Sequence, residues 1–179
     1  MQGSKAARRY AKALYALARD REVLGPVRED MAALLQLCET CQDFNRFIAN
    51  PVIPRHQRSS ILKTMFEPSA HPLTLRFLMF LDSKDRLGSL EDVCSVFIDL
   101  YQQEHKILPV DIVSAFSLNE DHIQRICDTF KQKFSKTIQH TTQVDPSLIG
   151  GFKVRVEDTI YDYSIHTQLE VLREKLLHA

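Results

Sequence analysis

The hydrophobic pattern changes period near Leu108, and that change constrains the fold more than any other feature of the chain. Before it, apolar residues recur at i, i+3, i+4 and i+7, the spacing of one face of a helix. Beyond it, short alternating runs with the spacing of strands take turns with helical ones. Two periods in two blocks predict two kinds of domain. The expected architecture is an all-α six-helix N-terminal bundle over residues 1–106 followed by a small α+β C-terminal domain over residues 107–179.

In the first block, Ala7, Tyr10, Ala11, Leu14, Leu17 and Ala18 form one stripe. Val27, Met31, Leu34 and Cys38 form a second, after Gly25-Pro26 read as a breaker. Phe44, Phe47 and Ile48 fit a short third helix ending before Asn50-Pro51. Pro54 opens a fourth with Ile61, Leu62, Met65 and Phe66 inward, and Pro68 stops it. The run from Leu73 to Leu81 is apolar on nearly every side, so it predicts a central helix with neighbours all round. Leu90, Val93, Cys94, Phe97 and Tyr101 supply the sixth stripe.

In the second block, Leu108, Val110 and Ile112 alternate with Pro109 and Asp111. Proline cannot donate to a ladder, so this reads as an edge strand. Asn119 is placed to cap a helix that buries Ile123, Ile126, Cys127, Phe130 and Phe134. Ile138, His140, Thr142 and Val144 alternate again. Glu157-Asp158-Thr159 reads as the turn into Ile160-Tyr161, a hairpin, and Ser164 as the cap of a last helix with Ile165, Leu169, Leu172 and Leu176 along one side.

Charge and motif content exclude most chemistry. Lys plus Arg number 23 and Asp plus Glu 23, so no global field draws the chain to a polyanion. A helical regulatory or nucleic-acid-binding module built on Arg8, Arg9 and Lys12 is the alternative reading, and the balanced charge argues against it. Gly150-Gly151 lacks the Lys-Ser/Thr of a phosphate loop and no GxGxxG is present, so nucleotide binding is not expected. The seven histidines form no HxxxH or HExxH pair. Cys38-x-x-Cys41 has metal or redox spacing but no second such pair, and the serines lack a Gly-x-Ser-x-Gly setting. No catalytic residue, cofactor or metal ligand is therefore expected, and the four cysteines suit a reducing compartment.

No apolar run approaches the roughly 20 residues that cross a bilayer. The basic, amphipathic start could pass for an organelle transit peptide. It carries Asp20 and Glu22 and has no signal-type apolar core, so it reads as the first helix of the fold. The lack of a transit extension points to a bacterial protein.

Three stretches carry a resemblance when taken in order: Ala7-Arg8-Arg9-Tyr10-Ala11-Lys12-Ala13-Leu14, Asn50-Pro51-Val52-Ile53, and Asp145-Pro146-Ser147-Leu148-Ile149-Gly150-Gly151. Arg86-Leu87 and Ser114-Ala115 lie between them. Together, over almost the whole chain, they resemble the delta (OSCP) subunit family of F-type ATP synthases. The resemblance implies a non-catalytic adaptor whose helical domain grips the N-terminal helices of the alpha subunits. Its second domain would hold the C-terminal end of the stalk's b subunit. Such a strut keeps the catalytic head from co-rotating with the central shaft, so that proton flow drives ATP synthesis. It further implies a protein that is monomeric on its own and joined peripherally, through the complex, to the cytoplasmic face of the bacterial cell membrane.

One departure stands out. Where the family has Asp-Gly-Ser, this chain has Asp162-Tyr163-Ser164, and a positive φ there would be costly for tyrosine.

The small residues Ala6, Ala7, Ala11, Ala13, Ala16 and Ala18 let another helix approach the first one closely. A groove between the first and fifth helices, lined by Tyr10, Ala13, Leu14, Leu78 and Leu81, is expected to take an amphipathic alpha-subunit helix. Leu169, Leu172 and Leu176 on the last helix are the expected b-subunit contacts.

Overall fold

Two apolar cores, one wholly helical and one under a sheet, account for the two periods in the sequence. A computed structural model of the chain describes residues 4–50 and 52–177, with the side chains of 171, 172 and 174–177 outside that description. It separates into the units Met1–Gln103 and Glu104–Ala179.

The first unit contains α1 (Lys5–Asp20), α2 (Leu24–Thr40), α3 (Gln42–Ala49), α4 (Arg55–Phe66), α5 (Pro72–Ser83) and α6 (Leu90–Glu104), with a 3-10 turn at Leu87–Ser89. Ser4 starts α1 by accepting from the Ala7 amide at 3.2 Å. α2 starts at Leu24, so Gly25-Pro26 lies inside its first turn and does not break it. An amide missing there costs nothing, because the first-turn amides have no intrahelical acceptor. Pro72 opens α5 in the same way, with His71 Nδ1 accepting from the Leu73 amide at 3.2 Å. Asp30 of α2 accepts from the His71 amide at 2.8 Å and from the Thr74 hydroxyl at 2.6 Å, which ties α2 to the start of α5.

The buried face of α4 is not the one its apolar residues suggest. Arg58 and Leu62 point inward, whereas Ile61 and Met65 are exposed. The physical reason is the Arg58–Asp82 ion pair to α5, which fixes the rotation of α4 about its axis. Fully buried Met31, Leu62, Leu78, Leu81 and Phe97 fill the centre of the unit. Each contributes about 1.5–3 kcal/mol of burial.

The second unit holds β1 (Ile107–Ser114), α7 (Glu120–Phe134), β2 (Thr137–Val144), β3 (Phe152–Val156), β4 (Thr159–Asp162) and α8 (Ile165–Leu177). The sheet order is β2-β1-β3-β4. β1 runs parallel to β2, from Ile107↔Thr137 to Ser114↔Val144, and antiparallel to β3 from Val110↔Val156 to Ser114↔Phe152. β1 is thus an interior strand, which corrects the edge reading taken from Pro109. The proline is tolerated because it precedes the first β1–β3 pair, so only β2 runs beside it.

The connection from β1 to β2 is α7, whose first turn is capped by Asn119 accepting from the His122 amide at 3.0 Å. Leu108, Val110, Ile112, Phe130, Val154 and Val156 form the second core between α7 and the sheet. β3 and β4 form a hairpin whose turn is the two residues Glu157-Asp158, with Glu157 at a φ of 52°; Thr159, expected in the turn, instead pairs with Val156 and opens β4.

Candidate helix-binding groove

α1 uses two faces. Ala7, Ala11, Leu14, Tyr15 and Ala18 are buried in the core, while Tyr10 is half-buried and Ala13 and Leu17 are exposed on the neighbouring face. Small residues let α1 sit close to its neighbours on the first face. On the second they leave a cleft.

That cleft, of about 250 Å³, is lined by Tyr10, Ala13, Leu14, Leu17 and Arg21 from α1 and the residue after it, and by Leu73, Arg76, Phe77 and Phe80 from α5. Tyr10 near the start of α1 meets Phe80 near the end of α5 edge to face, with ring centroids 6.0 Å apart and planes at 76°. The two walls therefore run in opposite directions. Leu17 is 40% exposed and Phe80 44%, large apolar side chains offered to the surface from the two walls.

Tyr10, Ala13 and Leu14 line this cleft, but Leu78 and Leu81 do not: both are fully buried in the core. Leu73, Phe77 and Phe80 take their place, at spacings of four and three along α5. Because α5 is apolar all round, its periodicity could not tell the face toward the core from the face toward the groove. The two arginines of the cleft gave no sequence signal of their own.

A second surface forms where the glycine motif meets α8. Asp145 accepts from the Ser147 amide at 3.0 Å, and Leu148 is buried. The Gly150 amide then donates to the Leu148 carbonyl at 2.6 Å, closing a three-residue γ-turn around Ile149 at φ 63° and ψ −42°. Ile149 is 68% exposed, a β-branched side chain held in a strained conformation at the surface.

The glycines that follow serve close approach. A Cβ on Gly150 would lie 2.6 Å from Ile165 Cδ1, and one on Gly151, whose φ is 80°, would lie 2.4 Å from the Tyr163 carbonyl oxygen. Amides of Ala115 and Ile165 donate to the carbonyls of Gly151 and Gly150, at 3.3 and 3.0 Å. The motif thereby ties the end of β1 to the start of α8. Position 163 does not take a positive φ, so the cost expected for tyrosine there does not arise, and the left-handed conformation falls on Gly151.

Asp162 anchors the start of α8. It accepts from the Ser164 amide at 2.8 Å and hydroxyl at 2.6 Å, from the Thr167 hydroxyl at 2.9 Å, and faces Lys153 Nζ at 3.0 Å. Burial pushes its carboxyl up, but the hydrogen bonds from Ser164, Lys153 and Thr167 outweigh that and hold it well below the usual carboxylate range. On α8 itself Ile165 and Leu169 are exposed, while the side chains of Leu172 and Leu176 lie outside the described residues.

The thiols of Cys38, Cys94 and Cys127 are not activated. Burial, with Glu91 and Glu39 nearby, pushes the Cys38 thiol up to about 11, and burial raises Cys94 and Cys127 as well. Among the described residues no group of three or more His, Cys, Asp and Glu is placed to hold a metal ion, and no helix is long and apolar enough to cross a membrane.

A family model described as the ATP synthase delta (OSCP) subunit matches residues 6–176. The chain belongs to that family. It is 38% identical over 172 residues to an ATP synthase subunit delta of Lactobacillus johnsonii, covering 96% of this chain and 94% of the relative. A subunit delta of Moorella thermoacetica is 31% identical over 179 residues, covering all of both chains. Among solved structures, a cryo-EM structure of the Toxoplasma gondii mitochondrial ATP synthase hexamer contains a chain with the same fold. Its TM-score is 0.71 at 22% identity, covering 97% of this chain and 98% of that one. This delta-family chain is a non-catalytic stator subunit of an ATP synthase, linking the catalytic head to the peripheral stalk.

Proposed function

We propose that the α1–α5 groove receives the N-terminal helices of the alpha subunits and that the C-terminal domain holds the C-terminal end of the b subunit. The observation that carries the first half is that exposed Leu17 and Phe80 stand on the two walls of the open cleft that Ala13 and Leu14 also line. A helix laid there would bury both large side chains, with Ala13 leaving room for its backbone. For the second half the support is exposed Leu169 on α8, in line with Leu172 and Leu176 in the sequence.

In this reading residues 1–106, a six-helix bundle, face the head, and residues 107–179 face the stalk. The subunit resists torque on the head while the shaft turns, and proton translocation is thereby coupled to synthesis. The bacterial origin of the similar delta subunits supports a place at the cytoplasmic face of the cell membrane, reached through the complex. Outside the complex the subunit is monomeric.

Co-purification tests the assignment. Tagged alpha subunit should retain the fragment 1–106 and tagged b subunit the fragment 107–179. Capture of either fragment by the other partner would contradict it.

A further inference from the structure

The basic first helix is left unexplained by a groove that is only apolar. α1 carries Lys5, Arg8, Arg9, Lys12 and Arg19 against the single carboxylate Asp20, in a chain whose net charge is zero. Cations also stand at both ends of the groove. At one end Arg21 lines it from the α1 side, and Arg76 lines the opposite wall four residues before Phe80. At the other, Arg9 lies 5.5 Å from the Tyr10 ring centroid and Lys84 5.9 Å from that of Phe80. No carboxylate lines the cleft. Among the described residues, Arg9, Arg21, Arg76 and Lys84 have no carboxylate oxygen within 4.0 Å, and the nearby Asp20 faces Arg19 at 3.9 Å.

We infer that the groove selects an amphipathic helix with an apolar centre and acidic side chains at both ends. The inference rests on the groove reading above and adds the charge of the occupant to it. Tyr10 and Arg21 are 11 residues apart, roughly 16 Å along a helix, so the occupant presents about three turns between its acidic ends. The aromatic rings at the Tyr10–Phe80 end hold Arg9 and Lys84 beside them through cation–π contact. Complementary charge at a rim sets orientation and rate of encounter, while the apolar floor supplies most of the affinity.

The test uses the full chain and three labelled three-turn peptides sharing one leucine frame, with glutamate, glutamine or lysine at both ends. The expected order of affinity is glutamate, glutamine, lysine, spread over about tenfold, and Arg21→Glu/Arg76→Glu should flatten it, since Arg9 and Lys84 then favour glutamate at one end while the new carboxylates oppose it elsewhere. If that variant misfolds, salt on the wild type decides: the glutamate peptide should weaken with ionic strength and the glutamine peptide should not. Equal binding of all three peptides, insensitive to salt, would overturn the charge inference and leave the groove reading standing. Binding of none would overturn both. Tighter binding of a short DNA duplex than of the glutamate peptide would overturn the inference in favour of a polyanion.

Discussion

Arg58 of α4 and Asp82 of α5 form an ion pair inside the N-terminal unit, with side chains only 9% and 2% exposed. Arg58 also reaches Asp85 at 3.3 Å and the Asn50 carbonyl at 3.5 Å, while Arg55 holds Asp85 at 2.7 Å. One cluster thus joins the end of α3, α4 and the end of α5, the helix that forms one wall of the groove.

Removing one partner of a buried pair strands the other. Arg58→Ala should cost about 3–5 kcal/mol by leaving Asp82 uncompensated, whereas Arg58→Met with Asp82→Leu should recover most of the loss. Urea denaturation followed by helical circular dichroism measures both. Equal stability of Arg58→Ala and wild type would remove the pair's structural role.

Separate cores predict separate folding. The fragments 1–106 and 107–179 should each unfold cooperatively when made alone, and limited proteolysis of the whole chain should cut between Glu104 and Pro109. Fragments that melt without a transition, or a chain that resists cleavage there, would contradict two folding units.

The strained turn makes opposite predictions two residues apart. Gly151→Ala should destabilise the C-terminal unit by about 1–3 kcal/mol, since a Cβ meets the Tyr163 carbonyl oxygen in a left-handed conformation. Ile149→Gly should stabilise it by about 1 kcal/mol by relieving the γ-turn. Melting temperatures of the 107–179 fragment report both. A Gly151→Ala fragment as stable as wild type would show that the turn relaxes.

Asp162 links the C-terminal unit to pH. Its carboxyl is held low in the folded state, so its stabilisation is complete above the unfolded value of about 3.9 and is lost as pH falls through the folded value. Asp162→Ala should therefore lower the melting temperature at pH 7, and the gap from wild type should close in strong acid. A gap that stays constant with pH would show that charge plays no part.

The legible and illegible parts of the fold divide along physical lines. Local signals read well: the period change near Leu108, the Asn119 cap and the Pro72 start follow from interactions within a few residues. Tertiary choices did not. Pro109 gave the wrong place in the sheet because strand order depends on where the β3 ladder begins, and Ile61 and Met65 were turned outward by an ion pair 24 residues apart in sequence. At the groove, α1 revealed Tyr10, Ala13 and Leu14 because its faces differ in size and polarity. On α5, Leu78 and Leu81 looked no different from Phe77 and Phe80, and only the packing separates them.

The central claim is that the α1–α5 groove is where an alpha-subunit helix docks. Ala13 is exposed in its wall, so Ala13→Trp fills the cleft without touching the core. Titration of the isolated 1–106 domain with an alpha N-terminal peptide should show at least about tenfold weaker binding for Ala13→Trp, or about 1.4 kcal/mol, with the circular dichroism spectrum unchanged. Equal affinity of the two proteins, both folded, would contradict the assignment.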